Sequence, residues 1–482
     1  MSAMRSLLQQ GQYRTARKLA LEMAASAVSE QEWLEVSAAL RHFEEPEALS
    51  QAFDGGGWRV LGSPDALAIF AQNLGFSGLY EAASECLDKS LAIDPAHSDS
   101  HYLRGLFRMF AGDSAGSLAS IRRALQIRPY MANAHWLLAM QDDATSAPAH
   151  VAEMEGFRHM AMPGSIAQAY FDYSLHLGLH AMGRHEDAWH ALASGHAAMR
   201  RWSPYDAVDQ RALFGDLHEL QLPDRSVGES GDGGTGLIFI VGMFRSGTTL
   251  IERLLSGHPD VVDGGETYQL SAALREASDV DGAGAVDRKI LARVQDIDFV
   301  RVRERMLSYA NWRGRGRKWL TEKLPSNFLN IGFILHVLPE ARILHMRRDP
   351  VDTCFSNLRT IFQGGAPYAC DQAGLAGYYV GYRNLMRHWH AVAPGRILDI
   401  DYDAFVADPE GQAKRVMAHC GLEYVPNALE SGSRKGMAAT ASATHVRRGV
   451  LTDRSKVWTP YATHLRPLID GLRPAYGEAI PG

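Results

Sequence analysis

A glycine-bearing turn in the second half of the chain carries residues suited to binding an anion. An apolar run, Leu237 to Val241 (LIFIV), predicts a strand that leads into Gly242–Thr249 (GMFRSGTT). Apolar residues at helical spacing follow, so the pattern predicts strand, turn and helix in succession. Backbone N–H groups converge on an anion in such a turn, and the positive end of the helix dipole faces it.

The turn has the glycine spacing of the nucleotide-binding motif GxxxxGK[ST], but Thr248 stands where that motif has lysine. Kinases and nucleoside triphosphatases use this lysine on the β and γ phosphates and the next hydroxyl on magnesium. Its absence disfavours triphosphate hydrolysis. A ligand with a shorter, diphosphate-like 5' group needs neither lysine nor metal, and 3'-phosphoadenosine 5'-phosphosulfate (PAPS) is such a ligand.

Transfer of a sulfuryl group to a hydroxyl needs a base that removes the hydroxyl proton and cations that meet the developing negative charge. Glu266, in DGGET, is the candidate base, and His258, in SGHPDV, is the competing one, although a role at the helix end is expected for it. Lys323, in TEKLP, is a candidate cation. It follows a predicted strand, where open α/β sheets place their ligand residues.

In the second half, short apolar runs alternate with helical patterns, which predicts a mainly parallel sheet. The strand candidates are residues 237–241, 319–321, 341–346 and 396–400. Two helices are predicted to start at Asp349-Pro350 and Asp408-Pro409, because aspartate can cap a helix and proline can occupy its first turn. The fold predicted for residues 237–482 is an α/β domain like that of P-loop proteins.

The string FIVGMFRSGTTLIERLLSGHPDV, followed by GGET, resembles the 5'-phosphosulfate loop of the PAPS-dependent sulfotransferases. Among these it is most similar to tyrosylprotein sulfotransferases and to bacterial proteins that join tetratricopeptide repeats to such a domain. The similarity extends from Leu237 to about Tyr461. The resemblance implies that PAPS is the sulfuryl donor, that 3'-phosphoadenosine 5'-phosphate (PAP) is a product and that no metal is required.

The resemblance also implies roles for individual residues. It makes Glu266 the general base and places Lys323, Arg245 and Ser442 at the transferring group. The implied nucleotide ligands are Arg245, Ser246, Gly247, Thr248, Thr249, Leu250, Arg348, Ser356, Tyr402, Ser442 and Lys456. Within this set Arg348 and Ser356 are expected at the 3'-phosphate, and Tyr402 against the nucleotide.

The sequence departs from the tyrosylprotein enzymes at two places. The interval from Ser442 to Lys456, in the segment expected to close over PAPS, is one residue shorter, which weakens the assignment of Lys456. Those enzymes have an arginine two residues beyond the base that receives acidic peptide side chains, whereas this chain has Tyr268. Protein tyrosine remains a candidate acceptor, but an acidic tyrosine peptide is a weak expectation.

Residues 1–225 are rich in Ala, Leu and His at helical spacing, which predicts an all-α region. The segment ending at Pro95 (LAIDP) recurs at Pro129 (LQIRP) with a period of 34, which is the tetratricopeptide period. Gly-x4-Ala spacings also recur, and close helix packing is the expected reason for their small residues. Residues 226–236 (SVGESGDGGTG) have the composition of a flexible linker. We therefore predict a tetratricopeptide-like repeat domain over 1–225, a linker and a sulfotransferase domain over 237–482.

Length and composition limit the class of protein, the location and the partners that can be expected. With 482 residues, a net charge of −6 and 22% charged residues, the chain reads as a multidomain globular protein rather than a general nucleic-acid binder. The four cysteines form neither a CxxC pair nor a metal-ligand cluster. No signal peptide and no membrane-spanning run are expected, so the predicted location is the cytoplasm. The expected partners are a protein or peptide acceptor recruited by the repeats, or a second copy in a homodimer.

Two rival functions stay open at this stage. A P-loop kinase or nucleotidase would bind ATP with magnesium, and the missing lysine disfavours it. A non-catalytic repeat scaffold would retain nucleotide without turnover.

Overall fold

The computed structural model describes residues 2–141, 145–223, 234–282, 284–362, 364–429 and 456–476. Its first half is helical. The helices are α1 (Ser2–Gln9), α2 (Tyr13–Ala24), α3 (Glu30–His42), α4 (Pro46–Asp54), α5 (Pro64–Phe76), α6 (Tyr80–Ile93), α7 (Ser98–Ala111), α8 (Ser114–Ile127), α9 (Ala132–Ala139), α10 (Ala147–Arg158), α11 (Ile166–Ala181), α12 (His185–Trp202) and α13 (Ala207–His218).

The helix starts follow local sequence signals. Ser29 accepts a hydrogen bond from the backbone of Glu32, and the Glu32 side chain accepts one from the backbone of Ser29, so a capping box begins α3. Ser63 caps α5, and Pro64 occupies its first turn, where the missing N–H is not needed. These local signals fix where α3 and α5 begin.

The 34-residue recurrence has a structural counterpart in two successive helix pairs. Helices α5 and α7 begin at Pro64 and Ser98, and α6 and α8 begin at Tyr80 and Ser114, an offset of 34 within each pairing. Helix α5 packs on α6, and α7 packs on α8. The assignment of a complete tetratricopeptide array stays a prediction.

Close helix packing, the reason predicted for the small residues of the Gly-x4-Ala spacings, is confirmed for the alanines but not for two of the glycines. The alanines Ala16, Ala83 and Ala188 are fully buried, as close packing predicts. Gly11 and Gly183, however, have φ angles of 71° and 75°, and a Cβ at either position would meet nothing within 4 Å. Glycine is needed there for the left-handed turn between helices, not for a tight contact.

The second half alternates strands and helices, as predicted. Its strands are β1 (Gly236–Gly242), β2 (Val261–Val262), β3 (Trp319–Glu322), β4 (Arg342–Arg347) and β5 (Ile397–Asp401). Its helices are α14 (Thr248–Ser256), α15 (Gln269–Ser278), α16 (Arg288–Leu291), α17 (Phe299–Gly314), α18 (Ile331–Val337), α19 (Pro350–Leu358), α20 (Gln372–Val392), α21 (Tyr402–Ala407), α22 (Pro409–His419) and α23 (Arg466–Tyr476). Short 3-10 turns occur at Gly57–Val60, Val294–Asp296, Pro325–Asn330, Pro367–Cys370, Pro426–Ala428 and Thr459–Tyr461.

The described strands form one parallel sheet with the order β2-β3-β1-β4-β5. All four predicted strands are confirmed, with ends that differ by one residue. The central strand β1 pairs in register with β3 on one side (Phe239 opposite Glu322) and with β4 on the other (Gly242 opposite Met346). The carboxyl ends of β1, β3 and β4 therefore meet at one edge, where ligands bind in open α/β sheets.

Both faces of the sheet are covered. Leu237, Phe239 and Val241 belong to one apolar cluster, whereas Ile238 and Ile240 belong to another with residues of α14 and α22. This alternation is what a buried parallel strand requires, because successive side chains point to opposite faces. It explains the unbroken apolar run of β1.

The predicted linker, residues 226–236, lies mostly outside the described residues, and the boundary it marks stays a prediction. Its end is held in place, because Thr235 donates hydrogen bonds from its backbone to Asn311 (2.8 Å) and from its hydroxyl to the Arg317 carbonyl (2.8 Å). All four cysteines are buried and free. In the described part of the chain, no helix has both the length and the apolar character needed to cross a bilayer.

Candidate active site

The turn between β1 and α14 depends on two glycines. A Cβ on Gly242 would lie 2.6 Å from the Met346 carbonyl oxygen of the neighbouring strand. A Cβ on Gly247, whose φ is 108°, would lie 2.9 Å from the ring of Tyr402. Side chains at these positions would collide with the surrounding structure, so the glycines are required by close approach as well as by backbone angle.

Ser246 lies inside this turn with an unsatisfied hydroxyl. It is 1% exposed, and its Oγ has no hydrogen-bond partner among the described residues. Thr248 and Thr249, which begin α14, are also buried. Leaving a buried hydroxyl unpaired costs about 1–3 kcal/mol, so an orphan of this kind calls for an explanation such as a bound acceptor. An anion at the start of α14 would supply that acceptor.

Arg245 is held in the turn by α19. Its φ of 69° is unusual for a residue with a side chain, and its Nε donates a hydrogen bond to Ser356 Oγ at 3.1 Å. The next residue of α19, Asn357, donates to the Phe244 carbonyl at 2.7 Å. The structure thus brings together Arg245 and Ser356, which the sequence resemblance places in one site although they are 111 residues apart.

Two adjacent arginines at the end of β4 have different roles because successive side chains leave the sheet on opposite faces. Arg347 pairs with Asp399 of β5 at 3.0 Å, and Asp399 also contacts His345 and His390. Arg348 instead places its guanidinium 4.6 Å from the ring centre of Tyr402.

Because the Tyr402 ring also borders Gly247, Arg348 and Tyr402 lie beside the turn between β1 and α14. The predicted 3'-phosphate arginine and the predicted aromatic neighbour of the nucleotide are therefore adjacent.

Glu266 and Lys323 are in direct contact at the same edge of the sheet. Lys323 Nζ lies 2.5 Å from Glu266 Oε1, and its side chain is fully buried while that of Glu266 is 27% exposed. Burial lowers the pKa of Lys323, but the carboxylates of Glu266 and Glu252 outweigh this and raise it above its ordinary value. Lys323 is consequently protonated at neutral pH, with Glu266 as its ion-pair partner.

Glu252 is a site residue that the sequence reasoning missed. It lies on α14, is 2% exposed, and its Oε1 accepts hydrogen bonds from Thr321 Oγ1 and the Gly265 backbone, both at 3.2 Å. Its Oε2 lies 3.7 Å from Lys323 Nζ. Burial, and then the Asp263 carboxylate, raise the pKa of Glu252 well above its ordinary value.

Glu252 therefore braces the loop that carries Glu266 and the lysine that contacts it. A signal for it was present: a carboxylate one turn into the helix, among the apolar residues of LIERLL.

The remaining predicted residues lie at the margin of the described structure. Ser442, with most of the segment expected to close over the nucleotide, lies outside the described residues. Lys456 follows that gap, with a φ of 65° and its backbone N–H bonded to Asp352 Oδ1 at 2.8 Å. His258, the competing base, is buried and accepts a hydrogen bond from the Asp260 backbone at 3.1 Å, as a residue that stabilises the helix end does.

Comparisons with known proteins agree with the resemblance seen in the sequence. Residues 238–426 match the model of the sulfotransferase family. A protein-tyrosine sulfotransferase 2 of Gallus gallus is 24% identical over 223 residues, 44% of this chain and 58% of the relative. The omega-hydroxy-beta-dihydromenaquinone-9 sulfotransferase Stf3 of Mycobacterium bovis is 31% identical over 119 residues, 22% of this chain and 30% of the relative.

A longer match is an uncharacterized protein of Aquifex aeolicus, 27% identical over 320 residues, which are 63% of this chain and 41% of that protein. This chain therefore spans 58% of the length of the Gallus gallus relative and 41% of the length of the Aquifex aeolicus relative.

Proposed function

We propose, from the premise that residues 238–426 are a sulfotransferase-family region, that this protein transfers the sulfuryl group of PAPS to a hydroxyl acceptor and releases PAP. The observation that carries the proposal is the arrangement at the carboxyl edge of the sheet. Glu266 and Lys323 are in contact there, after β2 and β3, while Arg245 and Ser356 are in contact beside the β1–α14 turn. One edge of the sheet thus offers both a base and a binding place for a nucleotide anion.

The residues around the turn fit a phosphosulfate group. The unpaired hydroxyl of Ser246 offers a hydrogen-bond donor, and Gly242 and Gly247 allow the Met346 carbonyl and the Tyr402 ring to pack closely against the turn. Thr248 in place of lysine favours a ligand without a γ phosphate. The residues proposed to hold PAPS are Arg245, Ser246, Gly247, Thr248, Thr249, Leu250, Arg348, Ser356, Tyr402, Ser442 and Lys456.

The chemistry assigned to the chain is an in-line displacement. The acceptor oxygen forms a bond to sulfur as the bond from sulfur to the 5'-phosphate oxygen breaks, and Glu266 takes the acceptor proton. Lys323, Arg245 and Ser442 are proposed to stabilise the negative charge that develops on the sulfuryl and leaving oxygens. The protonated state of Lys323 supports this, because a buried cation acts strongly where water is excluded.

The acceptor class is broad within this proposal. The names of two relatives point to protein tyrosine in one case and to an omega-hydroxy menaquinone derivative in the other, and both acceptors react through a hydroxyl group. A tyrosine peptide recruited by the helical region is therefore one candidate acceptor of this chain.

Glu266→Gln in the full-length protein tests the role of the base. We expect a loss of turnover of about 100-fold or more with labelled PAPS and a phenol acceptor, and unchanged PAP affinity by calorimetry. Glu304→Gln, at an exposed position on α17, is the matched control and should behave as wild type. Full activity of Glu266→Gln would remove Glu266 from the mechanism.

Calorimetry with three ligands tests the nucleotide. We expect binding of PAP and PAPS without added metal and none of ATP with magnesium. Tight uptake of ATP–magnesium with no affinity for PAP would contradict the proposed function and favour a kinase or nucleotidase.

A further inference from the structure

Helix α19 makes two contacts that shape the turn between β1 and α14. Its Ser356 accepts a hydrogen bond from Arg245 Nε at 3.1 Å, and its Asn357 donates one to the Phe244 carbonyl at 2.7 Å. Ser356 is also the residue proposed, together with Arg348, at the 3'-phosphate of the nucleotide. The placement of α19 therefore governs the geometry of the proposed nucleotide site.

The C-terminal segment, residues 456–476, holds the beginning of α19. Asp349 caps this helix, and its Oδ2 accepts a hydrogen bond from the Tyr476 hydroxyl at 3.0 Å. Asp352, in the first turn, accepts a hydrogen bond from the Lys456 backbone at 2.8 Å. Both ends of the described C-terminal segment are thus bonded to the first turn of α19.

Tyr461, in the middle of this segment, connects α19 to the helical region. Its side chain is fully buried, and its ring centre lies 5.0 Å from that of Phe355, the residue before Ser356. The Tyr461 hydroxyl is hydrogen-bonded to His180 Nδ1 of α11 at 2.8 Å. A buried tyrosine hydroxyl needs such a partner, so this bond fixes the ring that packs on α19.

A second contact holds the C-terminal segment against α12. The rings of Trp189 and His464 stack with their centres 4.9 Å apart and their planes at 11°. His464 Nε2 lies 3.0 Å from the Glu186 carboxylate, and the His464 carbonyl accepts a hydrogen bond from Gln372 of α20 at 3.0 Å. The segment that carries Tyr461 is therefore anchored on both α12 and α20.

The helical region also contacts the end of α19 directly. His196 Nε2 of α12 donates a hydrogen bond to the Leu358 carbonyl at 2.8 Å. This carbonyl belongs to the last turn of α19, where carbonyl groups have no partner within the helix. The ring of His176 of α11 lies 6.4 Å from that of Phe355. Helices α11 and α12 thus fix α19 both at its end and, through Tyr461, beside Ser356.

We infer that the helical region supports recognition of the 3'-phosphate, with Tyr461 and His180 as positioning residues that act through α19 on Ser356. This inference rests on the proposed function and assigns α11 and α12 a part in nucleotide binding. In the sheet, β4, which leads into α19, lies on the opposite side of β1 from β2 and β3, which precede Glu266 and Lys323. The effect should consequently be on nucleotide affinity and not on the chemical step.

The test compares PAPS with adenosine 5'-phosphosulfate (APS), which differs from it only in lacking the 3'-phosphate. Tyr461→Phe in the full-length protein removes the hydroxyl and keeps the ring against Phe355. By calorimetry we expect its affinity for PAPS to fall about fivefold and its affinity for APS to stay within about twofold of wild type. The KM for PAPS should rise by the same factor, with kcat nearly unchanged. Tyr13→Phe, at a buried tyrosine of α2, is the matched control and should leave both affinities unchanged.

A second variant tests whether the two positioning residues act together. His180→Leu should lower the ratio of PAPS to APS affinity at least as much as Tyr461→Phe, because it leaves the Tyr461 hydroxyl buried without a partner. The double variant should show no greater loss than His180→Leu alone, since both partners are then apolar. Losses that multiply in the double variant would contradict a shared role.

The outcomes separate the inference from the function on which it rests. Absence of PAPS and PAP binding in wild type would overturn the proposed function. If wild type binds PAPS, equal affinities for PAPS and APS would overturn the inference alone. So would a ratio of PAPS to APS affinity that is the same in Tyr461→Phe as in wild type, whether both affinities are kept or both fall equally.

Discussion

The two parts of the helical region are attached to the sheet in different ways. The buried residues of α1 to α8 and most of those of α9 form an apolar cluster of their own, from Met4 to Leu138. Helices α10 to α13 instead contribute residues such as Phe171, Leu175 and Phe214 to the cluster that also contains Phe239 of β1. The second part is therefore packed into the same core as the parallel sheet.

The first part contacts the sheet domain largely through polar groups. Arg17 pairs with Glu45 at 2.6 Å and with Glu276 at 2.9 Å, and Arg305 pairs with the same two carboxylates at 2.8 and 2.6 Å. Two of these residues come from each side, so the contact is a closed set of alternating charges. The composition of the chain changes at residues 226–236, whereas the hydrophobic core changes between α9 and α10. The two boundaries therefore do not coincide.

The largest expected effect comes from removing residues 1–223, which cuts through the shared core. We expect the remaining chain to lose cooperative unfolding and PAP binding, because the face of α20 that packs on α13 becomes exposed and the shared core loses the residues of α10 to α13. Circular dichroism during urea denaturation and calorimetry with PAP would measure this. A soluble, cooperative, PAP-binding product would show that the boundary at 226–236 is a true domain boundary.

The next largest effect is expected from substituting one buried phenylalanine in each part of the helical region. Phe214→Ala and Phe70→Ala should each lower the free energy of unfolding by about 3–5 kcal/mol, because both rings are buried. Phe214 packs on Tyr378 and Phe328, so its loss should shift the urea midpoint for PAP binding, whereas Phe70 packs on Trp33 and Trp58 and its loss should not. Equal shifts in PAP binding would mean that the two parts unfold as one unit.

A pH effect is expected from the second part. Buried His196 contacts the Leu358 carbonyl at 2.8 Å, and burial lowers its pKa from 6.5 to about 4. The unfolded chain binds this proton below about pH 6.5 and the folded chain does not until about pH 4, so stability falls as pH decreases through that window. At pH 5 the loss is about 2 kcal/mol for this group.

Urea denaturation of wild type and His196→Gln between pH 8 and pH 5 would measure the effect, because glutamine keeps an N–H for Leu358 but does not titrate. A steeper pH dependence in His196→Gln would contradict the assignment. Burial also lowers the pKa of His180, to about 3, so part of the wild-type dependence should persist.

The smallest expected effect is at the polar contact of the first part. The side chains of Arg17, Glu45, Glu276 and Arg305 are between 13% and 29% exposed. We expect a double-mutant cycle of Arg17→Ala and Glu276→Ala to give a coupling of about 1 kcal/mol that decreases at high salt. A coupling near zero would mean that other contacts orient the first part, such as those of Arg14 with Asp279, of His42 with Asp281 and of the turns at Glu44 and Gly78.

The sequence predicts those candidate site residues that directly follow a strand or that begin a helix. The turn at Gly242–Thr249, Lys323 after β3 and Arg348 after β4 were all in place because a parallel sheet gathers the carboxyl ends of its strands. Glu252 was missed, since its carboxylate becomes important only where Thr321 and Gly265, distant in sequence, donate to it. Arg348 was assigned to the site by resemblance, and the structure places it against Tyr402 while Arg347 pairs with Asp399.

The sequence by itself determined the order of elements, the glycine turn between β1 and α14 and the 34-residue helix offset, because these arise from local periodicity, capping and backbone freedom. Only the tertiary structure decided that α10 to α13 share a core with the sheet and that the turn at Glu44 contacts Gln269, three residues beyond Glu266. Contacts between residues that are distant in sequence leave no periodic trace in the chain. They follow from which apolar faces find each other when the two halves pack.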